Sequence, residues 1–123
     1  MAHSNTTFFG FGLAPSMFDG DGTLEFRQLS ADQARELVAE ATAEGTLQSC
    51  LNPSHKLTID AMRSRYSIDV PVPDKAPFAN LAAGDSLLTM GVRGLPRLED
   101  RHEYTEEEVA GATFTFTVWR RTA

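Results

Sequence analysis

The residues in this chain best suited to acting on a phosphate ester are one histidine and a group of arginines. His55 stands in the run Asn52-Pro53-Ser54-His55-Lys56. Asn followed by Pro reads as an N-cap with proline at the first helical position, which predicts His55 in the first turn of a helix. Free N–H groups at a helix start suit phosphate oxygens, and an imidazole there can protonate a departing oxygen. An exposed or capping histidine with no ligand fits the same pattern. The arginines Arg93, Arg97 and Arg101 fall with Asp100 and His102 between a strand and a helix start. Guanidinium groups clamp phosphate through paired hydrogen bonds. A solvated charged loop with internal ion pairs is the other reading of that composition. A third string, Phe18-Asp19-Gly20-Asp21-Gly22-Thr23-Leu24, sets two carboxylates in a glycine-rich stretch and reads as a turn before a strand. Glu25 arrives too soon after Asp19 for an EF-hand, whose loop needs its glutamate at the twelfth position.

These groups need a frame, and the periodicities predict one. Thr6 to Phe11 is aromatic and β-rich and reads as a buried first strand. Thr23 to Arg27 alternates with period two, a second strand. Ser30 with Gln33 forms a capping box opening a helix that buries Ala34, Leu37, Val38 and Ala41, with Gly45 as its C-terminal stop. A second helix runs from Pro53 to about Tyr66, with Leu57, Ala61 and Met62 inward. Ser67 to Val72 resembles a short strand that leads into a bend at Pro71, Pro73 and Pro77. Ser86 to Arg93 is a further strand. Thr105 and Glu108 cap a short helix whose glutamates suit the positive end of its dipole. Thr113 to Trp119 alternates phenylalanine and valine with threonine, a half-buried strand. The expected order is β-β-α-α-β-β-α-β, an α/β (α+β-like) fold with a mixed sheet of about five strands and flanking helices.

The bulk properties bound the function. The length of 123 residues suits a single domain spanning residues 1–123. With 41% hydrophobic and 23% charged residues the composition is that of an ordinary globular protein. No apolar run approaches the roughly 20 residues that cross a bilayer. Neither a membrane association nor a secretory leader is expected. The lone cysteine, Cys50, rules out an intramolecular disulfide and a cysteine-rich metal site, as in a reducing cytoplasm. A net charge of −6 argues against non-specific binding of long DNA or RNA, which needs a basic face. It leaves room for a small anion in a local basic pocket.

Two resemblances follow from these strings. The aspartate run resembles the first motif of the haloacid-dehalogenase phosphatases, in which one Asp attacks phosphorus and a second serves as acid and base beside magnesium. That motif must follow a buried strand, whereas Ala14-Pro15-Ser16-Met17 is a poor one. The second resemblance covers about Phe8 to Arg120. It is to the small α/β family of archaeal viruses, phages and some bacteria that includes the viral ring nucleases, type III anti-CRISPR proteins. Gly22 to Phe26 stands for that family's second strand and Leu29-Ser30 for its first helix start. Pro53 to Thr58 is similar to its Ser-x-x-Gly-His-x-x-Thr segment. Gly84 to Leu88 matches its Gly-Asp turn and strand, and Arg97 to Arg101 its Arg-x-x-Glu-Gly loop. The chain departs from the pattern at Ser54 for Gly, Asp100 for Glu and Arg101 for Gly. Asp74-Lys75 stands where the family has Asn-Arg, and the Asn-Ser after the family's first strand is missing.

The resemblance implies a homodimer that binds cyclic tetra-adenylate across its two-fold axis and cuts it with no metal or other cofactor. It implies His55 as general acid, Arg97 as the stabiliser of phosphoryl charge and Asp100 as the group that orients one or the other, His55 or Arg97. Lys75 and Arg93 would neutralise ligand phosphates, with Gly12, Ser16 and Ser54 completing the ligand contacts. Two other classes stay open: a module that binds a cyclic nucleotide or phosphorylated ligand without cutting it, and a dimeric interaction protein in which Thr113 to Trp119 pairs edge to edge with a partner.

Overall fold

A computed structural model describes residues 5–75, 77, 79–95 and 105–123. Five strands form one mixed sheet: β1 (Thr7–Gly10), β2 (Leu24–Leu29), β3 (Leu47–Ser49), β4 (Ser86–Arg93) and β5 (Thr113–Arg121), in the spatial order β2-β5-β4-β1-β3. β1 runs parallel to both β3 and β4, whereas β5 is antiparallel to β4 and β2. Among the described residues the α-helices are α1 (Ala31–Glu44), α2 (Lys56–Tyr66) and α3 (Glu106–Ala110).

Local chemistry fixes the helix ends. The Ser30 hydroxyl accepts from the Gln33 N–H at 3.1 Å, and the Gln33 side chain accepts from the Ser30 N–H at 2.9 Å. Gly45 stops α1 in the left-handed region at φ 73°, where a side chain would be strained. Thr105 and Glu108 repeat the capping box on α3. α2 ends at Ser67, itself left-handed at φ 58°.

Strand alternation divides the sheet's side chains between two faces. On one face Phe9, Leu88, Met90, Phe114 and Phe116 meet Ala34 and Val38 of α1, Ile59 and Met62 of α2 and Val109 of α3. Each fully buried side chain of this size contributes about 1.5–3 kcal/mol. The other face carries a smaller cluster, Phe8, Leu87, Ala79 and Leu81, packed with Leu13, Met17, Phe18, Cys50 and Trp119. Among the described residues a 3-10 turn and irregular segments, not α-helices, cover it. Burial there pushes the Cys50 thiol pKa up from its ordinary value. Further along this face the threonines of β5 lie beside Thr89 and Gly91, and the Trp119 indole donates to the Thr89 hydroxyl at 3.0 Å.

The mixed sheet with helices agrees with the sequence reading, but one strand sits elsewhere. Ser67 to Val72 forms no strand; Leu47–Ser49 does, between α1 and α2. The alternation of buried Ile68 and Val70 with exposed Asp69 is real, yet it reflects a segment laid against α2, where the Arg63 guanidinium donates to the Val70 carbonyl at 2.8 Å. β5 is paired with β4 along its length and with β2 from Phe116 to Arg121, so Phe116 to Trp119 offers no free edge to a partner.

Candidate functional site

Three parallel strands end along one rim of the sheet. β1 leads into Phe11 and Gly12, β3 into Cys50 to His55, and β4 ends at Arg93. Ligands of open α/β sheets bind outside such carboxyl ends. The rim is held together at its start by the Cys50 N–H, which donates to the Phe9 carbonyl at 2.8 Å.

Pro53 opens a single 3-10 turn, Pro53–His55, and α2 begins only at Lys56. His55 is therefore the N-cap residue of α2 and not part of its first turn. The reason lies in the turn's own bonds: the Asn52 side chain accepts from the Ser54 N–H at 3.0 Å and the Asn52 carbonyl from the His55 N–H at 3.0 Å. The His55 imidazole makes no capping bond. It is exposed and stands edge-on to the Phe11 ring, centroids 4.9 Å apart and planes at 64°. The contact fixes the ring's side while leaving its nitrogens to solvent.

Lys56 follows, its Nζ 2.9 Å from the Asp60 carboxylate one turn on. The hydrogen bond to Asp60 is the main reason its pKa lies above the ordinary lysine value, with Asp60's charge next and Glu106 contributing. The start of α3 thus lies within electrostatic range of the start of α2. Beside His55 a cleft of about 250 Å³ is lined by Pro53, Lys56, Ile59, Asp60, Arg63 and Val72.

The remaining sequence-predicted residues divide. Gly12 lies on the rim, exposed, next to Phe11. Ser54 shares the turn with His55. Arg93 reaches the same rim exposed, but alternation puts it with Leu87, Thr89 and Gly91 on the face opposite Phe11. Ser16 is exposed in a 3-10 turn, Pro15–Met17, that packs on that second face, where the Met17 carbonyl accepts from the Leu81 N–H at 2.8 Å. Lys75 is exposed in the connection after Val72, a wall of the cleft. Arg97 and Asp100 lie outside the described residues. Phe11, Lys56 and Asp60 were not singled out from the sequence. The i, i+4 spacing of Lys56 and Asp60 is a legible signal, whereas the Phe11 contact depends on β1 and β3 being neighbours.

The aspartate-glycine run has a different fate. It follows the 3-10 turn at Pro15 and no strand. The Asp19 carboxylate accepts from the Asn80 amide at 3.0 Å, and the Asp21 carbonyl accepts from the Arg121 guanidinium at 3.0 Å. Arg121 donates further to the Leu81 and Ala123 carbonyls. At Gly22 a Cβ would come 2.8 Å from Arg121 Nε, so the clamp needs a glycine there. Among the described residues no three His, Cys, Asp or Glu side chains are grouped to hold a metal ion.

The architecture recurs in a solved viral protein. The fold is that of B116 of Sulfolobus turreted icosahedral virus. The two superpose with a TM-score of 0.70 over 94% of this chain and 99% of that one, at 16% sequence identity. At that identity the likeness concerns the fold alone. No family model and no curated protein sequence matches the chain. No helix among the described residues is long and apolar enough to cross a membrane.

Proposed function

We propose that this chain binds a cyclic oligoadenylate and cuts one of its phosphodiester bonds as a ring nuclease that counters type III CRISPR signalling in the cytoplasm of a host or infected cell. The observation that carries the reading is His55: an exposed imidazole, edge-on to Phe11, on the rim where three parallel strands end and a helix begins. The shared fold with a viral protein and the weak motifs at Pro53 to Thr58 and Arg97 to Arg101 support it.

The chemistry balances without a metal because the ligand carries its own nucleophile. The 2′-hydroxyl oxygen attacks the adjacent phosphorus as its proton leaves to solvent. The bond from phosphorus to the 5′-oxygen breaks, and the His55 imidazolium protonates that oxygen. The products are a 2′,3′-cyclic phosphate and a 5′-hydroxyl. Arg97 would stabilise charge growing on the phosphoryl oxygens, with Asp100 orienting His55 or Arg97. Lys75 and Arg93 would neutralise other phosphates, and Gly12, Ser16 and Ser54 would contact the ring. An acidic chain needs such a local basic cluster, and a two-fold dimer would present it to one ring twice.

A second reading, binding without cleavage, has an observation of its own. The Ser54 N–H is already committed to the Asn52 side chain, so the turn offers one donor fewer to a phosphate oxygen. Calorimetric titration with cyclic oligoadenylates and cyclic dinucleotides separates the two. Heat of binding with linear product recovered supports the nuclease; heat with the ring recovered intact supports the binding module. No binding by any member of the panel removes both.

A further inference from the structure

β2 is an end strand of the sheet, with β5 on one side only. The Thr23 carbonyl accepts from the Thr122 N–H at 2.9 Å, and the Thr23 N–H donates to the Ala123 carbonyl at 3.2 Å. Bonded positions alternate along an antiparallel pair. Thr23, Glu25 and Arg27 therefore turn their main-chain groups toward β5, and Leu24, Phe26 and Gln28 turn theirs outward. Among the described residues no other segment bonds to that outer edge. Glu25, Phe26, Arg27 and Gln28 are all exposed, Phe26 to 67%.

Natural edge strands resist pairing with copies of themselves, often by carrying like charges that repel. This edge does the reverse. The sequence Leu24-Glu25-Phe26-Arg27-Gln28 is self-complementary about Phe26. When two copies run antiparallel with Phe26 opposite Phe26 of the partner subunit, Glu25 falls opposite Arg27 of the partner subunit, and Arg27 opposite the partner's Glu25. These two pairs occupy the non-hydrogen-bonded positions, where facing Cα atoms approach to about 4.5 Å. The outward groups of Leu24, Phe26 and Gln28 then supply about six main-chain hydrogen bonds across the two-fold axis. A trough of about 690 Å³ runs beside the strand, lined by Leu24, Glu25, Arg27, Leu37, Val118 and Arg120. It gives the incoming side chains room.

We propose that β2 is an assembly edge which joins a second copy of this chain by antiparallel β2–β2 pairing, turning two sheets into one of ten strands (2 × 5). The contact is isologous, as a two-fold interface requires. His55 follows β3 at the opposite end of the sheet. The β2 contact is therefore separate from any dimer that shares a ring, and it stands whether or not the chain cuts one.

Sedimentation velocity of the full chain over a concentration series tests it. Phe26→Pro removes an outward N–H and leaves the bonds to β5 intact; Arg27→Glu sets glutamates against each other. Each is expected to halve the mass of the largest species. Glu25→Arg alone does the same. Mixing the Arg27→Glu and Glu25→Arg chains restores the larger species, because the two edges are again complementary. That restoration is not expected from mere structural damage to one chain. A wild-type chain that stays monomeric at every concentration overturns the proposal. So does an assembly whose mass none of these changes alters.

Discussion

Two loops of this molecule carry residue types used in phosphate chemistry, and the structure treats them oppositely. In the Asp19–Gly22 loop, which follows a 3-10 turn and no strand, Asp19 accepts from Asn80 and the Asp21 main-chain carbonyl from an Arg121 that also binds Leu81 and Ala123, while the Asp21 carboxylate lies exposed. In the Asn52–His55 turn the backbone satisfies itself, and the one group with chemistry, the His55 imidazole, is left in solvent against Phe11. The lesson is that a motif's spacing matters less than the element that precedes it once the chain has folded. The aspartate run looks more like a known signature, but only the histidine turn follows a strand end on the rim of the sheet.

The comparison breaks most visibly on His55. His55→Ala is expected to lower ring cleavage by about 10²–10⁴-fold, the usual contribution of a positioned acid, while shifting stability by less than about 1 kcal/mol, because the side chain caps nothing. Rates from chromatography and a denaturant titration check the two halves. Arg121→Ala should do the opposite. It removes the donor from the part-buried Leu81 carbonyl and loosens two exposed contacts, and is expected to cost about 1–2 kcal/mol, read as a lower denaturation midpoint with an unchanged cleavage rate per folded molecule. Next in size is Ser30→Ala, which removes the α1 cap and should cost about 1 kcal/mol with no effect on the ring. The smallest effect concerns Lys56. Its pKa is raised in the fold, chiefly by the hydrogen bond to Asp60, so the pair's stabilisation is fully present below the ordinary lysine value of about 10.4 and fades as pH rises through the higher folded value. Asp60→Asn should abolish that fade in denaturation midpoints measured across alkaline pH and leave neutral behaviour nearly unchanged. Activity lost on Asp19→Asn would reverse the comparison altogether.

Much of the frame was legible because it is written in short-range chemistry. Ser30 with Gln33, Gly45, and Thr105 with Glu108 mark helix ends by bonds that span three or four residues. The alternation of Phe114, Phe116 and Val118 follows from a face buried under helices. What escaped is long-range. Leu47–Ser49 has three residues and a parallel partner 40 positions away (Thr7↔Leu47), too short for a period to register. Ile68 and Val70 show the period without the ladder. The site is similar: His55 was visible as a residue type beside a helix start, but its contact with Phe11, and the rim that brings Gly12, Ser54 and His55 together, exist only once β1 lies beside β3. The face on which Arg93 falls likewise needed the β4 register. The charge symmetry of Glu25 and Arg27 about Phe26 is plain in the sequence, but it gains meaning only when topology makes β2 an edge.

The most direct measurement is product analysis after the purified chain has been incubated with cyclic tetra-adenylate in excess EDTA. The expected product is linear oligoadenylate ending in a 2′,3′-cyclic phosphate and a 5′-hydroxyl, formed by the wild type and not by His55→Ala. An intact ring, or equal cleavage by the two proteins, would contradict it.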